Sequence, residues 1–239
     1  MLDGKTQQGT KHLWKPLAVL LMTALAGLYP AGAWSQSNAY KAPIPKPVNR
    51  PAPKATEKAP PSSPQPAKPA SVDDENEIKK LNSLIAANDK NADAYYNRGW
   101  LYEHKGDLET AEKDYTRAIA LDKNHKEAYY NRGLIFVKEG KLEEAIRDFS
   151  EVLRLDPKSA DAYCNRGNAY LQLKKPGQSI KDYDAALQIR PDDPDIRCNR
   201  GMAYLEMGNK PKALDDFKKA AAAGHPKARE QLRAITHSS

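Results

Sequence analysis

The chain has 239 residues, with 38 Lys/Arg against 31 Asp/Glu and a formal charge of +7. That excess does not mark a nucleic-acid surface: residues 1–71 hold nine basic residues and two acids, while residues 72–239 hold 29 of each. In the neutral part Lys and Arg are mixed with Asp and Glu, without the clustered basic face that nucleic acid requires, so no nucleic-acid partner is expected.

Residues 1–35 read as a signal peptide. Residues 1–16 are polar and basic, Leu17–Leu28 are uncharged and mostly apolar, and Ala31, Gly32, Ala33 and Ser35 follow Pro30. A charged, then apolar, then small-residue order is the layout of a secretory signal. Cleavage after Ser35 is preferred to cleavage after Ala33. The competing reading is an uncleaved anchor, because no charge occurs from Leu17 to Trp34. That run is near the lower length limit for a span, and Gly27, Pro30 and Gly32 weaken it. The chain is therefore expected to be exported, with a bacterial periplasm fitting best. If the segment is retained, the chain would face the periplasm from the inner membrane, and membrane contact would be confined to that segment.

Residues 36–71 carry ten of the 18 prolines, in runs such as Pro43-Ile44-Pro45-Lys46-Pro47. They offer little to bury, so a disordered Pro/Lys-rich linker with polyproline II character is expected. Its plain reading is a spacer; the sharper ones are a basic tether or a ligand for a proline-recognising groove.

Residues 72–91 should form an N-terminal capping helix, with Ile78, Leu81, Leu84 and Ile85 on one face. Four copies of one unit follow at 92–125, 126–159, 160–193 and 194–227. The tripeptides Asn97-Arg98-Gly99, Asn131-Arg132-Gly133, Asn165-Arg166-Gly167 and Asn199-Arg200-Gly201 recur every 34 residues. An unbroken period of this length means one supersecondary unit stacked on copies of itself. Residues 226–239 should form a C-terminal capping helix and tail, with Ala228, Leu232 and Ile235 facing inward.

Other positions repeat with the tripeptide. Tyr102, Phe136, Tyr170 and Tyr204 come three residues after the Gly. Ala111, Ala145, Ser179 and Ala213 each precede an aromatic by four: Tyr115, Phe149, Tyr183 and Phe217. Ala118, Leu153, Ala186 or Ala220 follows. Tyr95, Gly99 and Tyr102 make one stripe of a first helix, and Ala111, Tyr115 and Ala118 one stripe of a second. Gly106, Gly140 and Gly208 fall where a left-handed residue can end the first helix.

This pattern, over about residues 92–227, resembles the tetratricopeptide repeat family. The resemblance implies an all-α fold: a right-handed α-solenoid of helix pairs with capping helices. It also implies a non-enzymatic scaffold that docks a peptide segment or a protein surface in a concave groove. A self-associating structural protein, its groove filled by another copy as a homo-oligomer, is one alternative. An accessory subunit of an envelope enzyme complex is another.

The Arg of each tripeptide departs from the usual family pattern, which has an apolar residue there. Arg98, Arg132, Arg166 and Arg200 lie on the buried stripe, and a buried charge needs a partner. Asp114, Asp148, Asp182 and Asp216 each stand 16 residues later. A ladder of Arg–Asp pairs is expected.

A second stripe holds Tyr96 and Trp100, Tyr130 and Leu134, Cys164 and Asn168, and Cys198 and Met202. The family resemblance places these eight on the groove wall, where Tyr, Trp and Met suit interfaces. None is cationic, so the carboxylate-gripping chemistry of some family members is absent. Asp93, Glu127, Asp161 and Asp195 form an acidic row near the helix starts, where carboxylates favour the helix N-terminus.

Cys164 and Cys198 are 34 residues apart. A disulfide needs Cα atoms within about 6.8 Å, whereas packed helix axes lie about 8–10 Å apart, so two free thiols are expected. There is no Cys-x-x-Cys, no paired His, no phosphate-cradling glycine loop and no Gly-x-Ser-x-Gly. No catalytic centre, metal or cofactor is expected. His104 and His125 fall near helix ends, where solvated side chains are expected.

Overall fold

The computed structural model describes residues 72–237. Residues 1–71, where a signal segment and a Pro/Lys-rich linker are expected, lie outside the described residues. Ten helices follow one another: α1 (Val72–Ala87), α2 (Ala92–Lys105), α3 (Leu108–Leu121), α4 (Lys126–Lys138) and α5 (Leu142–Leu155). They continue with α6 (Ala160–Gln172), α7 (Pro176–Ile189), α8 (Pro194–Glu206), α9 (Lys210–Ala222) and α10 (Pro226–His237). No strand occurs among the described residues. Helices α2 and α3, α4 and α5, α6 and α7, and α8 and α9 pack as hairpins, and each second helix packs on the next first helix.

Local chemistry starts and stops these helices. Asn91 and Ser159 cap α2 and α6 by accepting from the N–H groups of Ala94 and Ala162. Asp193 accepts from Asp195 and Ile196, with Pro194 in the first turn of α8, where a missing N–H costs nothing. Gly106 closes α2 at φ 84°, and Gly140 and Gly208 take φ 77° and 73°. The same place in the third hairpin is held by Lys174 at φ 57°, a left-handed conformation that disfavours a Cβ.

The core follows the repeated columns. Tyr115, Phe149, Tyr183 and Phe217 are fully buried, as are Ala111, Ala145, Ser179 and Ala213. Each buried ring lies against the Gly of its own tripeptide: a Cβ on Gly201 would stand 2.7 Å from Cε1 of Phe217. The tripeptide Gly is thus fixed by close helix approach. The column of Ala118, Ala186 and Ala220 is continued by Val152, not by Leu153; Leu153 keeps the register of Ile119 and Leu187. Half-buried Tyr102, Tyr163 and Met202 each touch two neighbouring core clusters, so the core runs along the stack.

Both ends are covered. Ile78 and Leu81 of α1 are buried against Ala94 and Leu101 of α2, with Ile85 beside them. Leu84 is 45% exposed, because it sits at the edge of that stripe, off the face turned to α2. At the other end Ala228 and Ile235 of α10 are buried on α9, with Leu232 packed beside them.

Candidate functional site

The Arg and Asp columns meet inside each hairpin. Arg132 donates from Nε and Nη2 to Asp148 at 2.8 and 2.7 Å. Arg98 does the same to Asp114, Arg166 to Asp182 and Arg200 to Asp216. The fork is bidentate, the geometry that makes such pairs strong. The four Asp are buried and the four Arg half-buried. Hydrogen bonds donated to these carboxylates raise Arg98, Arg166 and Arg200 above the ordinary guanidinium range. Asp148 is pushed above the ordinary carboxyl value, by burial first.

Each Arg also has a third hand. Nη1 donates to Asn82, Thr116, Ser150 and Asp184 in turn, at 2.7 to 3.0 Å. Each of those residues lies 16 positions earlier, on the second helix of the preceding hairpin or, for Asn82, on α1. One guanidinium therefore ties three helices. This is architecture and not reaction chemistry.

The eight residues of the second stripe do not share one exposed wall. Tyr130, Cys164, Asn168 and Cys198 are buried; Tyr96, Trp100, Leu134 and Met202 are half-buried. Tyr130 and Asn168 are tied to the next first helix by its tripeptide Asn, whereas Cys198 is covered by Ala228 and Ile235 of α10. Asn165 Nδ2 donates to the Tyr130 hydroxyl at 2.9 Å, and Asn131 Nδ2 to the Tyr96 hydroxyl at 3.3 Å. Asn199 reaches back to Asn168 Oδ1 at 3.2 Å, which also accepts from the Tyr183 hydroxyl at 2.6 Å. Asn131, Asn165 and Asn199 thus each tie the preceding hairpin's stripe to the next first helix. Cys164 and Cys198 are free and buried. Burial raises their thiols to about 12 and about 11.

Of the four half-buried stripe residues, the two aromatic ones, Tyr96 and Trp100, lie on α2. The Trp100 ring lies 3.9 Å from that of His104, whose Nδ1 is 2.8 Å from the Trp100 carbonyl oxygen. His104 is exposed. His125, in contrast, is buried, contrary to the expectation of a solvated ring. It is the N-cap of α4: Nδ1 accepts from the Ala128 N–H at 3.3 Å, and the Tyr96 ring covers the imidazole at 4.6 Å.

The acidic row borders this face. Asp93 is almost fully exposed, and its Oδ1 lies 3.6 Å from His125 Nε2. Further along, Asp161 accepts from Arg190 at 2.7 Å, and Asp195 lies 3.0 Å from His225. His225 caps α10 through the Ala228 N–H. The four acids lie in first turns, and Asp161 and Asp195 also hold the linker that follows their hairpin. Among the described residues no three His, Cys, Asp or Glu converge as a metal site would require.

Comparison with known proteins agrees with this geometry. Residues 92–125 and 160–193 match a tetratricopeptide repeat model, 114–147 and 182–215 match a second one, and 133–174 match a TPR repeat model. The chain carries tetratricopeptide repeats, and its helical domain is an α-solenoid of that family. The crystal structure of MamA is similar, at 25% identity and a TM-score of 0.61 over 66% of this chain and 92% of that one. YrrB, described as a TPR protein with an unusual peptide-binding site, aligns at 25% identity and a TM-score of 0.57, over 63% of this chain and 79% of its own. A MamA chain from Desulfovibrio magneticus RS-1, at 20% identity and a TM-score of 0.59, covers 63% of this chain and 85% of its own and shares the fold. No curated protein matches the chain.

Proposed function

We propose that this protein is a non-enzymatic binding scaffold that docks a peptide segment or a protein surface on the open first-helix face at α2 and α4. The observation that carries this is the pairing of half-buried Tyr96 and Trp100 with exposed Asp93 on one face. Large aromatic area beside a polar group is the make-up of an interface anchor. Asn-mediated closure further along leaves Leu134 and Met202 as smaller apolar contacts. The peptide-binding site in YrrB's description supports the same use of the fold.

The site of action is proposed to be the cell envelope, supported by the residue order of 1–35. The mature chain would begin near Gln36. Mass measurement of protein purified from its native source tests this; an intact Met1 end in a cytosolic fraction overturns it.

Binding is tested with the partner recovered by the full chain, titrated against Trp100→Ala and Asp93→Asn. Anchor residues in interfaces carry about 2 kcal/mol or more, so Trp100→Ala should weaken binding at least about tenfold. Leu84→Ala, on α1, should leave affinity unchanged. Equal affinity for all four proteins would sink the proposal.

A further inference from the structure

The side-chain charges of the helical domain cancel in sum but not in place. Residues 72–125 hold eight Lys/Arg and twelve Asp/Glu, residues 126–193 twelve of each, and residues 194–239 nine and five. The four Arg–Asp pairs each fall inside one of these segments and cancel there. The imbalance therefore belongs to the other side chains. One end of the stack is negative and the other is positive by the same amount.

The two terminal helices are also the incomplete members of the series. Helix α1 is a second helix without its first: Asn82 gives Arg98 Nη1 the oxygen that Thr116 gives Arg132. Helix α10 is a first helix without its second: His225 caps it through the Ala228 N–H, as His125 caps α4 through Ala128. Its Nε2 faces Asp195, as that of His125 faces Asp93. Each terminal helix thus keeps one long side that, in an internal hairpin, a helix of the other type covers.

The two open sides differ in chemistry. Leu84 of α1 stands one period before Ala118. Ala118 is fully buried, whereas Leu84 is 45% exposed. Asp73 and Glu77 are exposed on the same helix. On α10 the exposed residues include Arg229 and Arg233. In every hairpin a first helix is followed by a second, so α10 of one copy and α1 of another each supply what the other lacks. The joint cannot be as tight as a hairpin. His225 follows His125 by 100 residues, two short of three periods, so Arg233 stands in the place of Gly99. A Cβ at Gly99 would already lie 3.0 Å from Asp114 Cβ. An Arg there holds the two helices further apart, and the contact then depends on opposite charge, with Leu84 beneath the apolar stems of the Arg side chains.

We propose that the protein associates end to end, the open side of α10 in one copy lying on the open side of α1 in the next, with Arg229 and Arg233 against Asp73 and Glu77. Such a contact is head-to-tail, so its repetition makes a ring or a filament of solenoids. The first-helix face at α2 and α4 takes no part, and the inference does not rest on the reading above.

Sedimentation velocity of the full chain tests it, with two variants whose helical content is verified by circular dichroism. Arg229→Glu with Arg233→Glu reverses the positive end, and Asp73→Lys with Glu77→Lys reverses the negative end. The unaltered chain should form species larger than a monomer as its concentration rises at about 10 mM salt. They should be lost in about 1 M salt, where screening acts within ~3 Å. Each variant alone sets like charges against each other and should stay monomeric. An equimolar mixture of the two should associate again, because the reversed ends match each other and so do the unaltered ones. A monomeric unaltered chain at low salt, association persisting in either variant alone, or no recovery in the mixture of folded variants would each overturn the proposal. Trp100→Ala should leave association unchanged. Loss of association in that variant would mean that a second copy fills the α2–α4 face instead, and would also overturn it. Partner binding is measured separately, so the two readings fail independently.

Discussion

Asn165 Nδ2 donates to the hydroxyl oxygen of Tyr130 across 2.9 Å, and both side chains are buried. The two residues belong to successive first helices, 35 positions apart, so the bond couples one hairpin to the next. Tyr130→Phe strands the Asn165 donor, and Asn165→Ala strands the Tyr130 hydroxyl. Each should cost about 1–3 kcal/mol, the penalty for a buried group left unsatisfied. The double variant should cost less than the sum of the two singles. Urea melts of the four proteins measure this; strict additivity would mean that the bond contributes nothing of its own.

Removing one guanidinium should be more severe. Arg132→Ala leaves Asp148, with a side chain only 5% exposed, without its bidentate partner, and frees Thr116 as well. Breaking a buried pair on one side costs about 3–5 kcal/mol. Replacing both, as Arg132→Met with Asp148→Leu, should recover most of that loss, because no charge is then stranded. Denaturant midpoints decide it. A loss of a few tenths of a kcal/mol in the single variant would mean that solvent screens the pair.

Lys174 offers a stabilising change. It holds φ 57° at the place where Gly106, Gly140 and Gly208 end the other first helices. A non-glycine residue there costs about 1–2 kcal/mol. Lys174→Gly gives up only an exposed ion pair with Glu206, worth about 0–1 kcal/mol, and adds backbone freedom to the unfolded chain. The expected net gain is about 0.5 kcal/mol. Gly140→Ala should move stability down by about 1 kcal/mol. Calorimetric melts showing both variants unchanged would remove the strain argument.

The thiols should be inert. Burial raises Cys164 to about 12 and Cys198 to about 11, and only the thiolate reacts. At pH 8 the folded protein should alkylate on the order of a hundredfold more slowly than the urea-unfolded chain. Mass spectrometry after iodoacetamide treatment reads this directly. Rapid labelling of either Cys in the folded protein would place that side chain in solvent.

The helix pairs were legible because every hairpin repeats its buried columns at one spacing. Tyr115, Phe149, Tyr183 and Phe217 need a Gly beneath them, and both columns are invariant in kind. The Arg and Asp columns stand out for the same reason. The third contact of each Arg was harder to read: its column runs Asn82, Thr116, Ser150, Asp184, different residues that share only a short side-chain oxygen. The role of the tripeptide Asn was hidden further, because the column it meets changes from Tyr96 and Tyr130 to Cys164. Sequence spacing placed all eight stripe residues alike, whereas burial depends on what the next helix brings down on each. His125 was misread because a residue before a helix is commonly wet. Here a ring from the neighbouring hairpin covers it.

The two-way grip of each Arg turns chain length into a countable variable. Cutting out residues 160–193 would join Ser159 to Pro194, a capping residue followed by the proline favoured in a first turn. Arg200 would keep Asp216 and find Ser150 where Asp184 had been, the arrangement Arg166 already has. Asn199 would come to face the Tyr130 hydroxyl in the manner of Asn165. A solenoid shortened by one whole unit keeps a partner for every such hand. A cut within the repeats that is not a whole number of units puts the columns on the two sides of the seam out of register. Selection can therefore vary the reach of this protein in whole-unit steps, and each step is protected against partial ones.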